Sequence, residues 1–287
     1  MDKVPKILVT GSNGQLGKEL KRLAPGFPEF EFIFLSREDM PVHHFEMVRH
    51  YFSVYSPDYV INCAAYTAVD RAEAEKDRAF QINGEAVGVL AAICKERGIK
   101  LVHISTDYVF DGTASSPYRE DDATNPQSVY GASKLEGEKQ AQHFNPDCII
   151  IRTSWVYSEY GKNFVKTMLK LMSEKEEISV VYDQLGSPTY AADLADAILQ
   201  IIHSGKWQPG IYHYCNEGII SWYDFAVMIK KLTGSTCKIN PIPTSQYPTA
   251  AKRPAYSVLD TAKIQMVFGV KLKNWRDSLK VCMEHLK

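Results

Sequence analysis

A tyrosine and a lysine four residues apart, in Tyr130-Gly131-Ala132-Ser133-Lys134, are the pair in this sequence best suited to proton transfer. They fall in Ser128–Phe144, whose pattern predicts a helix, and at that spacing both side chains lie on one helical face. A free tyrosine titrates near pH ~10 and is a poor acid or base at neutrality. An ammonium beside it favours the phenolate and is expected to draw that value down, toward the range useful for proton transfer. An amphipathic helix with the tyrosine inside and the lysine outside would show the same letters, so the pair needs support from the elements around it.

That support begins at the amino end. Lys6-Ile7-Leu8-Val9-Thr10 is a short apolar run, as expected of a strand buried on both faces. It passes directly into Gly11-Ser12-Asn13-Gly14-Gln15-Leu16-Gly17 and then into a helical pattern through Leu20 and Leu23. Strand, glycine-rich turn and helix form the context in which glycines point to dinucleotide binding. Gly11 permits the tight turn, Gly14 lets backbone approach a pyrophosphate, and Gly17 permits close helix–strand packing. The helix N-terminus then offers unpaired amides to phosphates. The spacing is GxxGxxG rather than GxGxxG. A P-loop is excluded, because five residues separate Gly11 from Gly17 and no Ser or Thr follows Lys18.

The second strand, Glu31–Leu35, ends in Ser36-Arg37. An NAD site usually carries a carboxylate there for the ribose 2′-hydroxyl, whereas a hydroxyl and a guanidinium suit a 2′-phosphate. NADPH is the expected cofactor; Glu38 and Asp39 follow at once and leave NADH open. A third strand, Tyr59–Ala65, runs into small residues that leave room for a ligand. An alanine-rich helix follows over Arg78–Arg97, with Asn83 the polar residue on its apolar face, either met by surface water or holding backbone near the site, and counted with the cofactor residues. Lys100–Asp107 is another strand, with Ser, Thr and Asp at its carboxyl end.

Strands alternating with helices at this pace indicate an α/β fold, a Rossmann-type doubly wound parallel sheet. The cofactor domain is expected over residues 1–152 plus about 186–215, where the helix Ala191–His203 returns to the sheet. A smaller α/β substrate domain takes 153–185 and 216–287, including helices at Asn163–Met172 and Ser221–Thr233, a strand at Ile178–Val181 and a turn at Gly186–Thr189. The tail is interrupted by prolines.

Composition narrows the rest. With 287 residues, 45% of them hydrophobic, and a net charge of −1, the chain is an ordinary globular protein with no reason to seek nucleic acid or a membrane surface. The amino end lacks the apolar run and cleavage site of a signal peptide, and no stretch approaches the ~18 apolar residues that span a bilayer. The 6 cysteines are scattered, without a CxxC or Cys/His cluster, so they read as buried thiols in the cytoplasm and no metal is expected. No GxSxG elbow or HExxH supports a hydrolase or a zinc enzyme.

Longer strings carry a resemblance. Thr10-Gly11-x-x-Gly14-x-x-Gly17, Ser105-Thr106-Asp107 and Tyr130-x-x-x-Lys134 resemble the extended short-chain dehydrogenase/reductases. Within them, Ile61–Asp70, Ser105–Gly112, Arg152–Tyr157, Gln184–Thr189 and Arg253-Pro254 are similar to the dTDP-4-dehydrorhamnose reductase family, across essentially the whole chain. The resemblance implies reduction of the C4 ketone of a nucleotide sugar, with Thr106, Tyr130 and Lys134 catalytic. It implies that Gln15 and Leu16 face the pyrophosphate, Asp39 and Met40 the adenine, and Ala64, Ala65 and Tyr66 the middle of the cofactor. Asp107 and Trp155 match positions that contact the nucleotide sugar, with Asn163 and Arg253 expected at its rim. A homodimer is compatible with it. Some members have been described with magnesium at a dimer contact, but no carboxylate cluster here demands one. The same fold also serves as an NADP-binding regulatory subunit similar to the methionine adenosyltransferase beta subunit, against which the intact trio argues. Nucleotide-sugar epimerases and dehydratases are a third possibility; a dehydratase would need an acid/base pair near Thr106, where Asp107-Tyr108 stands.

Overall fold

A computed structural model describes residues 3–286. The chain opens with strand β1 (Lys6–Thr10), helix α1 (Gln15–Leu23), strand β2 (Glu31–Leu35), helix α2 (Phe45–Tyr55) and strand β3 (Tyr59–Asn62). A short helix α3 (Val69–Ala72) precedes α4 (Lys76–Phe80), which runs through a π-helical turn at Gln81–Glu85 into α5 (Ala86–Glu96). Strand β4 (Lys100–Thr106), helix α6 (Val129–Phe144) and strand β5 (Ile149–Thr153) follow. Next come β6 (Val156–Tyr157), α7 (Phe164–Glu174), β7 (Glu177–Val181), β8 (Leu185–Gly186), β9 (Thr189–Tyr190), α8 (Ala191–His203) and β10 (Gly210–His213). The chain closes with β11 (Ile220–Ser221), α9 (Trp222–Thr233), β12 (Lys238–Ile242), α10 (Ala262–Phe268) and α11 (Trp275–His285).

Six strands form one sheet in the order β10-β5-β4-β3-β1-β2, parallel at every pairing. Ile7, Leu8 and Val9 of β1 are fully buried because both faces are covered, which is why the strand reads as an unbroken apolar run. Val48, Phe52, Leu90 and Ile93 pack one face, from α2 and α5. Leu16, Leu20, Leu194 and Ile198 pack the other, from α1 and α8. A separate core, with Tyr157, Met168, Phe225 and Trp275, joins α7, α9 and α11. Most expected elements lie within a residue or two of their observed bounds, and α8 and β10 do return to the main sheet.

Three differences stand out. The helix expected over Arg78–Arg97 is broken by its π turn, because Asn83 turns its amide onto the backbone of Tyr66, accepting from N at 2.8 Å and donating to O at 3.0 Å. Asp107 lies past the end of β4, in a single 3₁₀ turn that Thr106 caps. Helices α2, α10 and α11 escape the sequence reading, the last two where they follow a proline-rich stretch.

The π turn and α6 press together at Gly137, where a Cβ would sit 2.0 Å from the Asn83 carbonyl oxygen. Backbone cannot yield as a flexible side chain would. Gly137→Ala should therefore lower stability by about 1–3 kcal/mol, the usual cost of overpacking, read as a drop in the denaturant midpoint. An unchanged midpoint would mean that α6 is free to slide.

Candidate active site

The chain order reverses at β1, with β2 on one side and β3 on the other, and a crevice opens beyond the carboxyl ends of these strands. It is a cleft of about 710 Å³ that reaches from the glycine turn to α6. Gly11, at φ +61°, occupies the left-handed region, and a Cβ there would lie 2.7 Å from the Ala64 nitrogen. At Gly17 a Cβ would stand 2.5 Å from Ser12 Cα, so α1 can lie this close to its own turn only with glycine. Helix α1 has no side-chain cap and no acid in its first turn, which leaves its leading amides to an anion. Gly11, Gly14, Gln15, Leu16 and Gly17 all line the cleft, as do Ala64, Ala65 and Tyr66 at the end of β3. This cradle fits a dinucleotide phosphate backbone.

At the far end of the cleft, beyond β2, Arg37 is exposed and reaches the wall together with Met40. Ser36 and Asp39 do not. The Ser36 hydroxyl accepts from the Glu38 and Asp39 amides, and the Asp39 carboxylate accepts from Ser36 N at 2.8 Å. The two residues lock the turn that presents Arg37. Asn83 is likewise a support. It is fully buried and acts through the Tyr66 backbone rather than in the cleft.

Thr106, Tyr130 and Lys134 converge on the opposite wall. Ser128 caps α6 by accepting from Gly131 N at 3.1 Å, which fixes where the first turn begins and hence where Tyr130 points. Lys134 is 2% exposed and donates to the Ile104 carbonyl at 2.6 Å. Burial lowers its ammonium to about 8, with Glu138 opposing the shift. Tyr130 departs from expectation. Burial raises its phenol above the ordinary tyrosine value, the nearby Thr106 hydroxyl opposing, and the Lys134 ammonium is turned onto the Ile104 carbonyl rather than onto the phenol. A phenol that holds its proton is suited to give one to a developing alkoxide.

Asp107 is 2% exposed; its Oδ1 accepts from the Thr106 hydroxyl at 2.9 Å, while its Oδ2 has no partner among the described residues. Burial pushes its carboxyl up to about 6. Trp155 lines the cleft in the left-handed region, at φ +50°, a strained conformation for so large a side chain. Its indole stacks on Trp222 from α9 at 3.6 Å between centroids, 10° from parallel. Trp222 gave no signal in the sequence, since nothing in a single amphipathic helix names its partner.

The two rim candidates both have protein partners. Asn163 caps α7, accepting from Lys166 N at 3.1 Å, and its amide donates to Gln15 Oε1 at 2.8 Å and to the carbonyls of Ser158 and Tyr160. Gln15 in turn donates to the Val156 carbonyl at 3.4 Å. Arg253 is held by the Tyr108 hydroxyl at 3.0 Å and by Asp70 at 2.5 Å, one residue layer behind the cleft wall that Tyr108 forms. His43, Tyr108, Thr153 and Lys162 line the cleft without having been anticipated, because they come from loops and strand ends with no motif of their own.

The unpartnered Asp107 oxygen has a measurable cost. Its carboxyl binds a proton more tightly folded than unfolded, so the penalty is absent below about pH 4, grows as pH rises, and is complete above about pH 6. Asp107→Asn keeps the acceptor for Thr106 and removes the charge. The variant should be more stable than the parent at pH 7, on the order of 1–3 kcal/mol, with the gain vanishing toward pH 4. Denaturant titrations at the two pH values check this; an equal difference at both would mean the carboxylate is not strained.

A family model described as the RmlD substrate binding domain matches residues 5–287. The spore coat polysaccharide biosynthesis protein SpsK of Bacillus subtilis is 46% identical, over 96% of this chain and 95% of its own. The dTDP-4-dehydrorhamnose reductase of Aggregatibacter actinomycetemcomitans is 41% identical, over 96% of this chain and 97% of its own. A crystal structure of the Bacillus anthracis dTDP-4-dehydrorhamnose reductase in complex with NADP superposes with a TM-score of 0.94 at 38% identity, covering 99% of this chain and 100% of that one. Matched end to end at this identity, the chain belongs to the RmlD family of dTDP-4-dehydrorhamnose reductases.

Proposed function

We propose that this chain reduces the C4 ketone of dTDP-4-dehydro-L-rhamnose to dTDP-L-rhamnose, using NADPH, as the last step in making that sugar donor for cell-surface polysaccharide. The observation that carries the reading is one cleft with the glycine cradle at one end and Thr106, Tyr130 and Lys134 at the other, in a member of this family. NADPH supplies hydride to C4. The glycine turn and the first turn of α1 would hold its phosphates, Arg37 its 2′-phosphate, and Lys134 its nicotinamide ribose. NADH, lacking the 2′-phosphate, would bind less tightly.

The protein's own part is the proton. Tyr130 gives its proton to the ketone oxygen as that oxygen becomes an alcohol, and burial keeps the phenol protonated until it is needed. Thr106 now donates to Asp107; turning that hydroxyl toward the substrate gives the oxygen a second donor. Asp107 is left with two acceptor oxygens, suited to a sugar hydroxyl. Trp155, braced by Trp222, covers the sugar and keeps water out. Residues 1–152 with about 186–215 would hold the cofactor and 153–185 with 216–287 the nucleotide sugar. Cytoplasmic residence and a homodimeric assembly belong to the same reading; five of the six cysteines are buried and free, which fits a reducing compartment.

The direct test is loss of nicotinamide absorbance when the purified protein meets dTDP-4-dehydro-L-rhamnose and NADPH. An active wild type makes the next comparison possible. Tyr130→Phe should lower kcat by about 10²-fold or more, since general acid catalysis contributes ~10²–10⁴, while NADPH affinity hardly changes. Near-full turnover in that variant would remove Tyr130 as the donor.

Cofactor choice is tested separately. A charge-assisted hydrogen bond to phosphate contributes about 1.5–3 kcal/mol, so Arg37→Ala should weaken NADPH by roughly one to two powers of ten and leave NADH nearly untouched. Equal weakening of both would mean that Arg37 serves the turn and not the phosphate.

A further inference from the structure

Helix α6 carries a third polar residue on the same face as Tyr130 and Lys134, another four residues on. Glu138 is 1% exposed. Its carboxylate is gripped by Arg152 of β5 in a two-pronged pair, Nε to Oε1 at 2.9 Å and Nη2 to Oε2 at 2.7 Å, and by the Ser105 hydroxyl at 2.5 Å. Three successive residues of β4 therefore face three successive turns of α6. Ile104 takes the Lys134 ammonium, Ser105 bonds Glu138, and Thr106 stands beside Tyr130.

We infer that Glu138 is a positioning residue for this reaction, keeping Lys134 charged and fixing the height of α6 against the strand that bears Thr106. A purely structural role does not account for what is there. Burying a guanidinium and a carboxylate stabilises a fold little more than apolar side chains of the same volume would. The charge on Glu138 does have one further neighbour that needs it. Lys134 lies one helical turn away, is buried, and has only a neutral carbonyl as its hydrogen-bond acceptor. The other groups around that ammonium offer no counter-charge. His103 of β4 is fully buried and held neutral far below the usual histidine range, and the Cys63 thiol past β3 is pushed up by its surroundings, as is the Tyr130 phenol. Arg152, the remaining charged group, is held by Glu138 on two prongs and offers no counter-charge either.

The inference rests on the reductase reading for its meaning, but its test does not. Cofactor-free protein labelled at the lysine side-chain carbons is titrated by NMR, the Lys134 signal being identified by its loss in Lys134→Arg. Glu138→Gln leaves Arg152 unpaired and risks the fold, so Glu138→Gln/Arg152→Met is made beside it; glutamine still accepts from Ser105, and the pair is neutral. Lys134 should lose its proton about tenfold more readily in the folded double variant, the lower end of the effect of an opposite charge at close range. Glu138→Asp should keep most of the parent value. In the loaded enzyme, the alkaline fall of kcat/KM should move to lower pH by the same factor. An unchanged Lys134 titration in the double variant overturns the inference, and so does a double variant that cannot fold, which would assign the pair to architecture alone. A wild type inactive toward dTDP-4-dehydro-L-rhamnose, with the Lys134 shift intact, would sink the substrate and spare the positioning role.

Discussion

Everything chemical in this protein depends on the register between one strand and one helix. Strand β4 and helix α6 are distant in sequence, separated by the loop that follows Thr106, yet they meet with the Tyr130 phenol beside the Thr106 hydroxyl. No covalent feature sets that height. It follows from the Ser128 cap, from Gly131 and Gly137 allowing backbone to approach, and from the buried bonds of Ser105 to Glu138 and of Lys134 to Ile104. Desolvation makes such bonds compulsory, because an unmade one inside the protein costs more than a made one contributes.

The same desolvation tunes the site. It raises the Tyr130 phenol and the Asp107 carboxyl and lowers the Lys134 ammonium, so each group is drawn toward its neutral form. The cleft is thus arranged to hold protons where a reduction consumes one. Asp107 is the least comfortable of the three, with an oxygen that has no partner among the described residues, and Trp155 adds backbone strain. Local discomfort of this kind persists where the surroundings fix the residue against its preference.

Much of this was legible in the letters. Glycines carry their meaning in spacing and context, so the cradle at Gly11, Gly14 and Gly17 was readable, as was the Tyr130–Lys134 face of a capped helix. What escaped has one cause: a side chain's partner is set by tertiary geometry. Asn163 caps a helix and Asp39 accepts from the backbone of its own turn, roles the letters do not show, whereas Asn83 does hold backbone beside the cleft. Ser36 and Arg37 are adjacent in sequence, yet one closes a turn and the other opens onto the cleft. The phenol of Tyr130 is raised and not lowered, because spacing on a helix says nothing of how deeply the tertiary fold buries it.

Gln15 sits at the head of α1, among the amides that await an anion, yet both ends of its side chain belong to the other lobe: one to Val156, one to Asn163, which in turn starts α7. The glycine turn and helix α7 are therefore joined by two bonds through a single amide. A hydrogen bond contributes a net ~1 kcal/mol, so disturbing both is worth a few-fold to tens-fold in an equilibrium constant. That is the size of a typical coupling free energy between two ligands, and it is reciprocal by necessity. Whatever shift one occupant imposes on Gln15, the other feels to the same degree.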